Sequence, residues 1–525
     1  MRSGIFSSTL ISTFVLLTLH WNGACEEGGS NIVFMTVPMV HSHYFNGMGL
    51  AEEMARRGHK VSILVTEQLK TRKSIVKHVE YRLRDAELVN SINEVYNDVS
   101  KKEFGAMAFI NFVKDLIRLF VDACFAILEN EQTLKEIKEA DMIVAITSMS
   151  CAYYLGDIFD KPVISLHTSA FYFLSQFTGA PSVPSHVPAA TIALSDEMTF
   201  FERIQNFISY RLYDAIESHG TTYYFRELQA AYGWRSSGSF PEVIGKTELF
   251  IFTTDFSYQH AQPIMPNTFF VGPLLAKPPA PLSEDLEEFM QSSNEHGVVL
   301  IAFGSAASEM DQTTIEAMLT AISRMKQKFI WKLEATENLK IPQNLKALKW
   351  VPQNDILGHK KTKAFVSHMG LNGAAEAAYH GVPIVAAPFK GERFHNAVLF
   401  TKKAKMAKFI DIINAGADTW QSTMEEVVYN SSYKEHAMMT SKRMRSWPKS
   451  GTERAGDLVQ YALDNGGRLP HLKSNANTLY WFQYYCVDVI AFLLALAVIL
   501  PCLFCKVLKF LISFLWKNRT KSKEE

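Results

Sequence analysis

The sequence predicts an α/β protein of two doubly wound halves with a cleft between them, followed by a C-terminal transmembrane helix. Three observations predict it. A strand–helix–strand pattern opens the mature chain, a second α/β series follows a proline-rich linker, and one long apolar run stands near the C-terminus.

The 525 residues suffice for two domains and extra segments. Lys plus Arg and Asp plus Glu each number 53. That neutral balance gives no reason to expect a nucleic-acid partner. At the N-terminus, Arg2 precedes an apolar stretch from Leu10 to Leu19, and Asn22, Gly23 and Ala24 follow it. This pattern predicts a signal peptide over residues 1–25.

The N-terminal domain is expected over 26–275. Ile32 to Val37 is an apolar run suited to a buried parallel strand. Met48 to Arg57 follows with helical spacing, Leu50, Ala51 and Met54 on one face. Gly58 suits the helix end, and Val61 to Val65 reads as a second strand. The stretch Asn46-Gly47-Met48-Gly49 reads as a loop too loose for a dinucleotide fingerprint.

Three prolines between Lys277 and Pro281 mark a stiff linker over 276–282. The second series, over 283–484 with a return segment, begins with a strand at Val298–Ala302 that ends in Phe303-Gly304-Ser305. A helix is predicted over Thr314–Met325 and a strand over Phe329–Leu333. Ala364–Ser367, Leu371–His380 and Pro383–Ala386 read as strand, helix, strand.

Val489 to Phe504 is nearly all apolar, which predicts a transmembrane helix over 485–506, with Tyr484 and Tyr485 at one interface and Lys506 and Lys509 at the other. The tail 507–525 carries Lys517, Arg519, Lys521 and Lys523, so the positive-inside rule places it in the cytosol and the body in the lumen. Lys521 and Lys523 resemble a dilysine signal for return to the endoplasmic reticulum. Of six cysteines, only Cys124 and Cys151 lie in the body, which argues against a disulfide framework. No Cys/His spacing suggests a metal site. Asn430-Ser431-Ser432 is the expected luminal glycosylation acceptor.

Chemistry concentrates between Trp350 and Asn396. A strand ends in His368, and the turn Met369-Gly370-Leu371-Asn372-Gly373 leads straight into a helix. Such a turn aims backbone N–H groups and a helix N-terminus at one spot, which favours phosphate. Glu376 lies one helical turn past Asn372, where a carboxylate can accept from ribose hydroxyls.

This stretch resembles the donor-binding signature of the UDP-glycosyltransferases, in which WxPQ is followed by a HGGxNGxxEA block and then Asp-Gln. The resemblance spans the mature chain and implies a GT-B-like fold. It implies that Trp350 stacks on uracil and Gln353 bonds uracil or ribose. His368, Gly370, Asn372, Gly373 and Ser305 face the diphosphate, and Glu376 the ribose. Glu392 and Arg393 stand where Asp-Gln bonds the sugar. The donor is then a UDP-sugar co-substrate, with no further cofactor and no metal, and the acceptor a small lipophilic molecule. Phe171, Tyr172, Phe173 and Phe177, with Pro181, Pro184 and Pro188, suit an acceptor site or an ordinary core equally.

The resemblance also selects the base. Ser42-His43-Tyr44 and Arg57-Gly58-His59 match the family's spacing, which favours His43 over His41. The aspartate that orients the family's histidine falls on Ile146, which accepts no hydrogen bond; Thr147 and Ser148 are its adjacent substitutes. Met369 replaces the first glycine of HGG and is expected to tighten the backbone approach to phosphate. Arg393 replaces a two-way amide by a cation, suited to a carboxylate-bearing sugar or to pairing with Glu392. An inverting transferase of the endoplasmic reticulum membrane is the expectation. Ile146, Met369 and Arg393 keep a UDP-binding scaffold as the rival.

Overall fold

The computed structural model describes residues 29–38, 41–69, 71–85, 87–89, 92, 106–147, 149–168, 178–189, 192–232, 239–304, 310–333, 339–389 and 391–521. The proposed signal peptide lies outside them. The chain forms two compact units that divide between Lys473 and Ser474.

The first unit holds two parallel sheets. Among the described residues the first contains β1 (Asn31–Met35), β2 (Lys60–Thr66), β3 (Lys77–Tyr81), β4 (Met142–Ile146), β5 (Val163–His167), β6 (Leu249–Phe252) and β7 (Thr268–Phe270). They run in the order β3-β2-β1-β4-β5-β6-β7. The second contains β8 (Val298–Ala302), β9 (Lys328–Lys332), β10 (Leu345–Leu348), β11 (Thr362–Ser367), β12 (Ile384–Ala386) and β13 (Ala407–Phe409), ordered β10-β9-β8-β11-β12-β13. Helices cover both faces of each sheet, so the central strands are buried on both sides. This is why β4, MIVAI, and β8, VVLIA, are apolar without alternation.

Strand order reverses between β1 and β4 in the first sheet and between β8 and β11 in the second. Connections there leave in opposite directions and open a crevice at the carboxyl ends. His43 follows β1, Thr147 follows β4, Gly304 follows β8 and His368 follows β11.

The helix after β1 begins earlier than the sequence suggests. It spans His41–Arg56, so Asn46–Gly49 is helix interior rather than loop. Two glycines within a few residues argue for a loop on propensity alone. Close packing overrides them: a Cβ on Gly47 would lie 2.1 Å from Cδ1 of Ile146, at the end of β4. Gly47 therefore sets how near this helix approaches the sheet.

The chain returns to its first domain before the second unit. Helix Gly451–Asp464 places Ala455, Val459 and Ala462 in the same core as Ile32, Met54 and Ile146. Arg57 bonds Asp457 Oδ1 at 3.0 Å and the Glu453 carbonyl at 3.1 Å, and His59 Nε2 lies 2.8 Å from Gln460 Oε1. Buried Glu248 accepts from the Leu469 amide at 2.8 Å and pairs with Lys473 at 2.8 Å. The Arg57-Gly58-His59 segment thus holds the returning helix.

Cys124 and Cys151 form a disulfide, Cα atoms 5.5 Å apart, that joins helix Ala106–Glu129 to helix Ser150–Ile158. The body therefore carries a bridge that cysteine number alone did not reveal.

In the second unit, helix Val487–Lys521 contains Val487–Ser513, long and apolar enough to cross a membrane. Lys506 and Lys509 fall within this stretch rather than at its end.

Replacing Gly47 by Val should force the helix off β4 and destabilise the protein by about 1–3 kcal/mol. Adding Ile146→Ala should recover part of that loss, so the double variant should be more stable than the two single effects sum to. Thermal unfolding of the four proteins measures the coupling.

Candidate active site

The N-terminal wall of the cleft carries His43 in the first turn of helix His41–Arg56. Its Nδ1 lies 3.0 Å from the Thr168 hydroxyl, just beyond β5. The Thr147 hydroxyl donates to Thr168 Oγ1 at 3.2 Å, and the Thr168 amide donates back to Thr147 Oγ1 at 3.3 Å. Thr147 sits at φ 34, outside the usual range for a β-branched residue, held by this hydroxyl pair. Burial lowers the His43 pKa to about 4, so its imidazole is neutral at physiological pH.

Ile146 is wholly buried against Gly47 and offers His43 no acceptor. Thr147 acts one step removed, through Thr168, while Ser148 lies outside the described residues. Thr168 and Asn46 are the two residues that motif reading missed. Their signal is positional: Thr168 directly follows a strand at the carboxyl edge, and Asn46 is one helical turn past His43.

The C-terminal wall carries the motif residues. Ring and backbone interlock at His368. A Cβ on Gly370 would lie 2.5 Å from its Nε2, and one on Gly304, at φ +62, 2.8 Å from its Cε1. Only glycines let the two turns after β8 and β11 close on the imidazole. Ser305, next in the first turn, lies outside the described residues. Helix Leu371–His380 starts at Gly370, so its N-terminal amides face the same crevice.

Gln353 opens a short helix and donates to Glu376 Oε2 at 2.6 Å. Gly373 leaves room for that amide, whose nitrogen a Cβ would meet at 3.0 Å. Burial raises the Glu376 pKa to about 7, opposed by the Gln353 hydrogen bond. Trp350 stands 72% exposed, so its ring has a free face outside the core.

Met369 takes φ +65, the left-handed conformation that glycine would adopt freely. Its side chain is completely buried and its amide donates to Ser367 Oγ at 3.1 Å. The side chain packs into the core with Ala374, Ala377 and Ala378 of helix Leu371–His380. Asn396 donates to the Met369 carbonyl at 3.0 Å and ties helix Arg393–Val398 to this turn. Arg393 is buried with its guanidinium 5.0 Å from the Phe389 ring centroid, and Phe389 in turn lies 6.5 Å from the His368 ring. Glu392 is half-buried at that helix's start.

The two walls meet. Asn46, fully buried, donates through Nδ2 to Asn372 Oδ1 at 3.1 Å and to the Ser42 carbonyl at 3.0 Å. The helix that carries His43 thus touches the first turn of the helix that carries Asn372 and Glu376. Far from this cleft, Asn430 is exposed and caps helix Ser431–Met444 through its Oδ1, 3.1 Å from the Ser432 amide. The aromatics from Phe171 to Phe177 lie outside the described residues.

Comparison with known proteins agrees with this architecture. The family described as UDP-glucoronosyl and UDP-glucosyl transferase matches residues 32–522. The chain is 30% identical to UDP-glucuronosyltransferase 2A3 of Mus musculus, and 30% identical to UDP-glucuronosyltransferase 2B7 of Homo sapiens, with 98% of both partners covered in each case. Among solved structures it is similar to Phytolacca americana UGT2 complexed with UDP-2fluoro-glucose and pterostilbene. That match has a TM-score of 0.58 at 14% identity and covers 83% of this chain and 99% of that one. The calicheamicin glycosyltransferase CalG4 gives 0.56 at 17% identity, over 83% and 98%. These solved structures bear on the fold, which is GT-B-like.

If Glu376 holds a ribose, Glu376→Ala should weaken uridine binding by about 1.5–3 kcal/mol, roughly tenfold to hundredfold. Because its pKa is raised to about 7, the charged acceptor is present above that pH and lost below it. Uridine affinity measured by calorimetry should therefore fall as pH drops from 8 to 6, and Glu376→Gln should flatten that dependence.

Proposed function

Since the chain belongs to the UDP-glucoronosyl and UDP-glucosyl transferase family, we propose that it transfers a hexosyl group, glucuronosyl or glucosyl, from a UDP-sugar to a hydroxyl of a small lipophilic acceptor by one inverting displacement. The supporting observation is the Asn46–Asn372 contact, which brings the helix of the base against the helix of the phosphate site.

Trp350 covers the uracil, Gln353 and Glu376 hold the ribose, and Ser305, His368, Gly370, Asn372 and Gly373 surround the diphosphate. The acceptor gives its proton to His43, or to solvent where it ionises beforehand; its oxygen attacks the anomeric carbon from the His43 side, and the bond to the diphosphate breaks with its electrons on UDP. Donors at His368 and the helix N-terminus stabilise that developing charge. No cofactor beyond the UDP-sugar enters the reaction. Glu392 and Arg393 meet the sugar. The Arg393 guanidinium suits a carboxylate-bearing sugar, which favours glucuronosyl transfer.

Ile146 supports a second reading, a UDP-binding scaffold. Its side chain is completely buried where a carboxylate beside His43 would stand. UDP release by the full chain, across several UDP-sugars, separates the two. Transfer should appear in the wild type and drop by about 10²–10⁴ in His43→Ala. UDP binding without release in either protein would establish the scaffold.

The body is proposed to be luminal in the endoplasmic reticulum, anchored as a type I protein and glycosylated at Asn430. The apolar helix Val487–Ser513 and the Cys124–Cys151 disulfide support an anchored chain in an oxidising compartment. Protease added to intact microsomes should then remove only a short C-terminal fragment. Digestion of the body would refute this topology.

A further inference from the structure

We propose that Thr168 is a positioning residue that replaces the orienting carboxylate of His43, and that this substitution directs the enzyme to acceptors whose oxygen arrives ionised: carboxylic acids and acidic phenols. The inference rests on the transferase reading above.

The chemistry turns on what each partner can do at Nδ1. A carboxylate only accepts, so it forces a proton onto Nδ1 and leaves the Nε2 lone pair to take the acceptor's proton. A hydroxyl both donates and accepts. Here the Thr147 hydroxyl donates to Thr168 Oγ1, and Thr168 lies 3.0 Å from His43 Nδ1. Continued in the same direction, the chain of donors runs Thr147 to Thr168 to His43 Nδ1, each bond polarising the next. Nδ1 then accepts and the imidazole proton resides on Nε2, which faces the acceptor as a donor.

Such a histidine is a poor base and a good anchor for an anion. Charge reinforces this. Ile146 is apolar, and the titratable group facing His43 from β5 is His167, which burial and His43 itself hold near 4. Among the described residues no anion stands beside it, so the imidazolium gains nothing from them, and burial keeps His43 near 4 as well. Removing a proton from an aliphatic alcohol therefore draws little help from this site. An ionised oxygen needs none: it accepts from His43 Nε2–H with one lone pair and attacks the anomeric carbon with another. The sugar–diphosphate bond breaks as the new carbon–oxygen bond forms, the electron pair leaves on UDP, and no proton is transferred, because the acceptor gave its own to solvent beforehand.

The test uses the full chain in microsomes with UDP-glucuronic acid or UDP-glucose as donor. The acceptors are 4-nitrophenol, cyclohexanecarboxylic acid and cyclohexylmethanol, each across pH. The wild type should use the two acids about 10²–10⁴-fold better in kcat/KM than the alcohol, with rates that follow the acceptor's own ionisation. Thr168→Val, close in shape, should lower kcat on the acids while UDP affinity stays unchanged, and Thr168→Ser should restore it. Ile146→Asp should raise turnover of the alcohol selectively; if that variant does not fold, the Thr168 pair decides. Equal use of alcohol and acids by the wild type would overturn the proposal, as would unchanged kcat in Thr168→Val. Failure of every acceptor with UDP still bound would instead overturn the transferase reading beneath it.

Discussion

Helix His41–Arg56 lies so close to β4 that a single added carbon at Gly47 would collide with Ile146. Three consequences come from that one approach. His43, one turn earlier, is brought to the strand ends, where Thr168 meets its Nδ1. Asn46 is buried and aimed across the cleft at Asn372. The far end of the helix delivers Arg57 to the returning Gly451–Asp464 helix. His43, the Asn372 contact and the return segment are thus fixed by one interface, and packed cores of this density transmit displacements rather than absorb them.

The C-terminal wall obeys a different constraint. Its residues are held by backbone shape: Gly304 and Gly370 close on the His368 ring, and Gly373 leaves room for the Gln353–Glu376 bond. Met369 contradicts that pattern, since a side chain in the left-handed region costs about 1–2 kcal/mol. The cost is offset by complete burial of its side chain in the core under helix Leu371–His380. A large apolar residue can therefore occupy a glycine-like turn provided it points into the core.

How much of this the chain disclosed in advance depended on whether a property is local. The strands at Val298–Ala302 and the helix at Leu371–His380 were legible because burial on both faces and a glycine-bounded helical spacing are properties of a short window. The donor residues were legible because the resemblance concentrates them in one segment. The start of the first helix was not, because Gly47 and Gly49 argue for a loop until the contact with Ile146 is known. Thr168 was hidden for the same reason. It lies 125 residues from His43 and only the β1-β4-β5 strand order brings them together. The Cys124–Cys151 pairing likewise needed two helices to be packed side by side.

The replacement at Ile146 also makes electrostatic sense of its surroundings. A buried carboxylate beside a neutral histidine, with no cation at hand, carries a desolvation cost of several kcal/mol. With isoleucine there, the described pocket around His43 contains hydroxyls, a neutral imidazole and apolar packing, and among the described residues no fixed charge has to be kept out of water. His167, also buried and neutral, joins a hydroxyl network with Ser165 and Tyr153 at 2.7 and 2.6 Å on the adjacent strand. Among the described residues the His43 pocket is thus uncharged at rest, while the C-terminal wall carries Glu376, Glu392 and Arg393. On the proposed reading, charge on the acceptor side comes with the acceptor, because no described residue beside His43 supplies it.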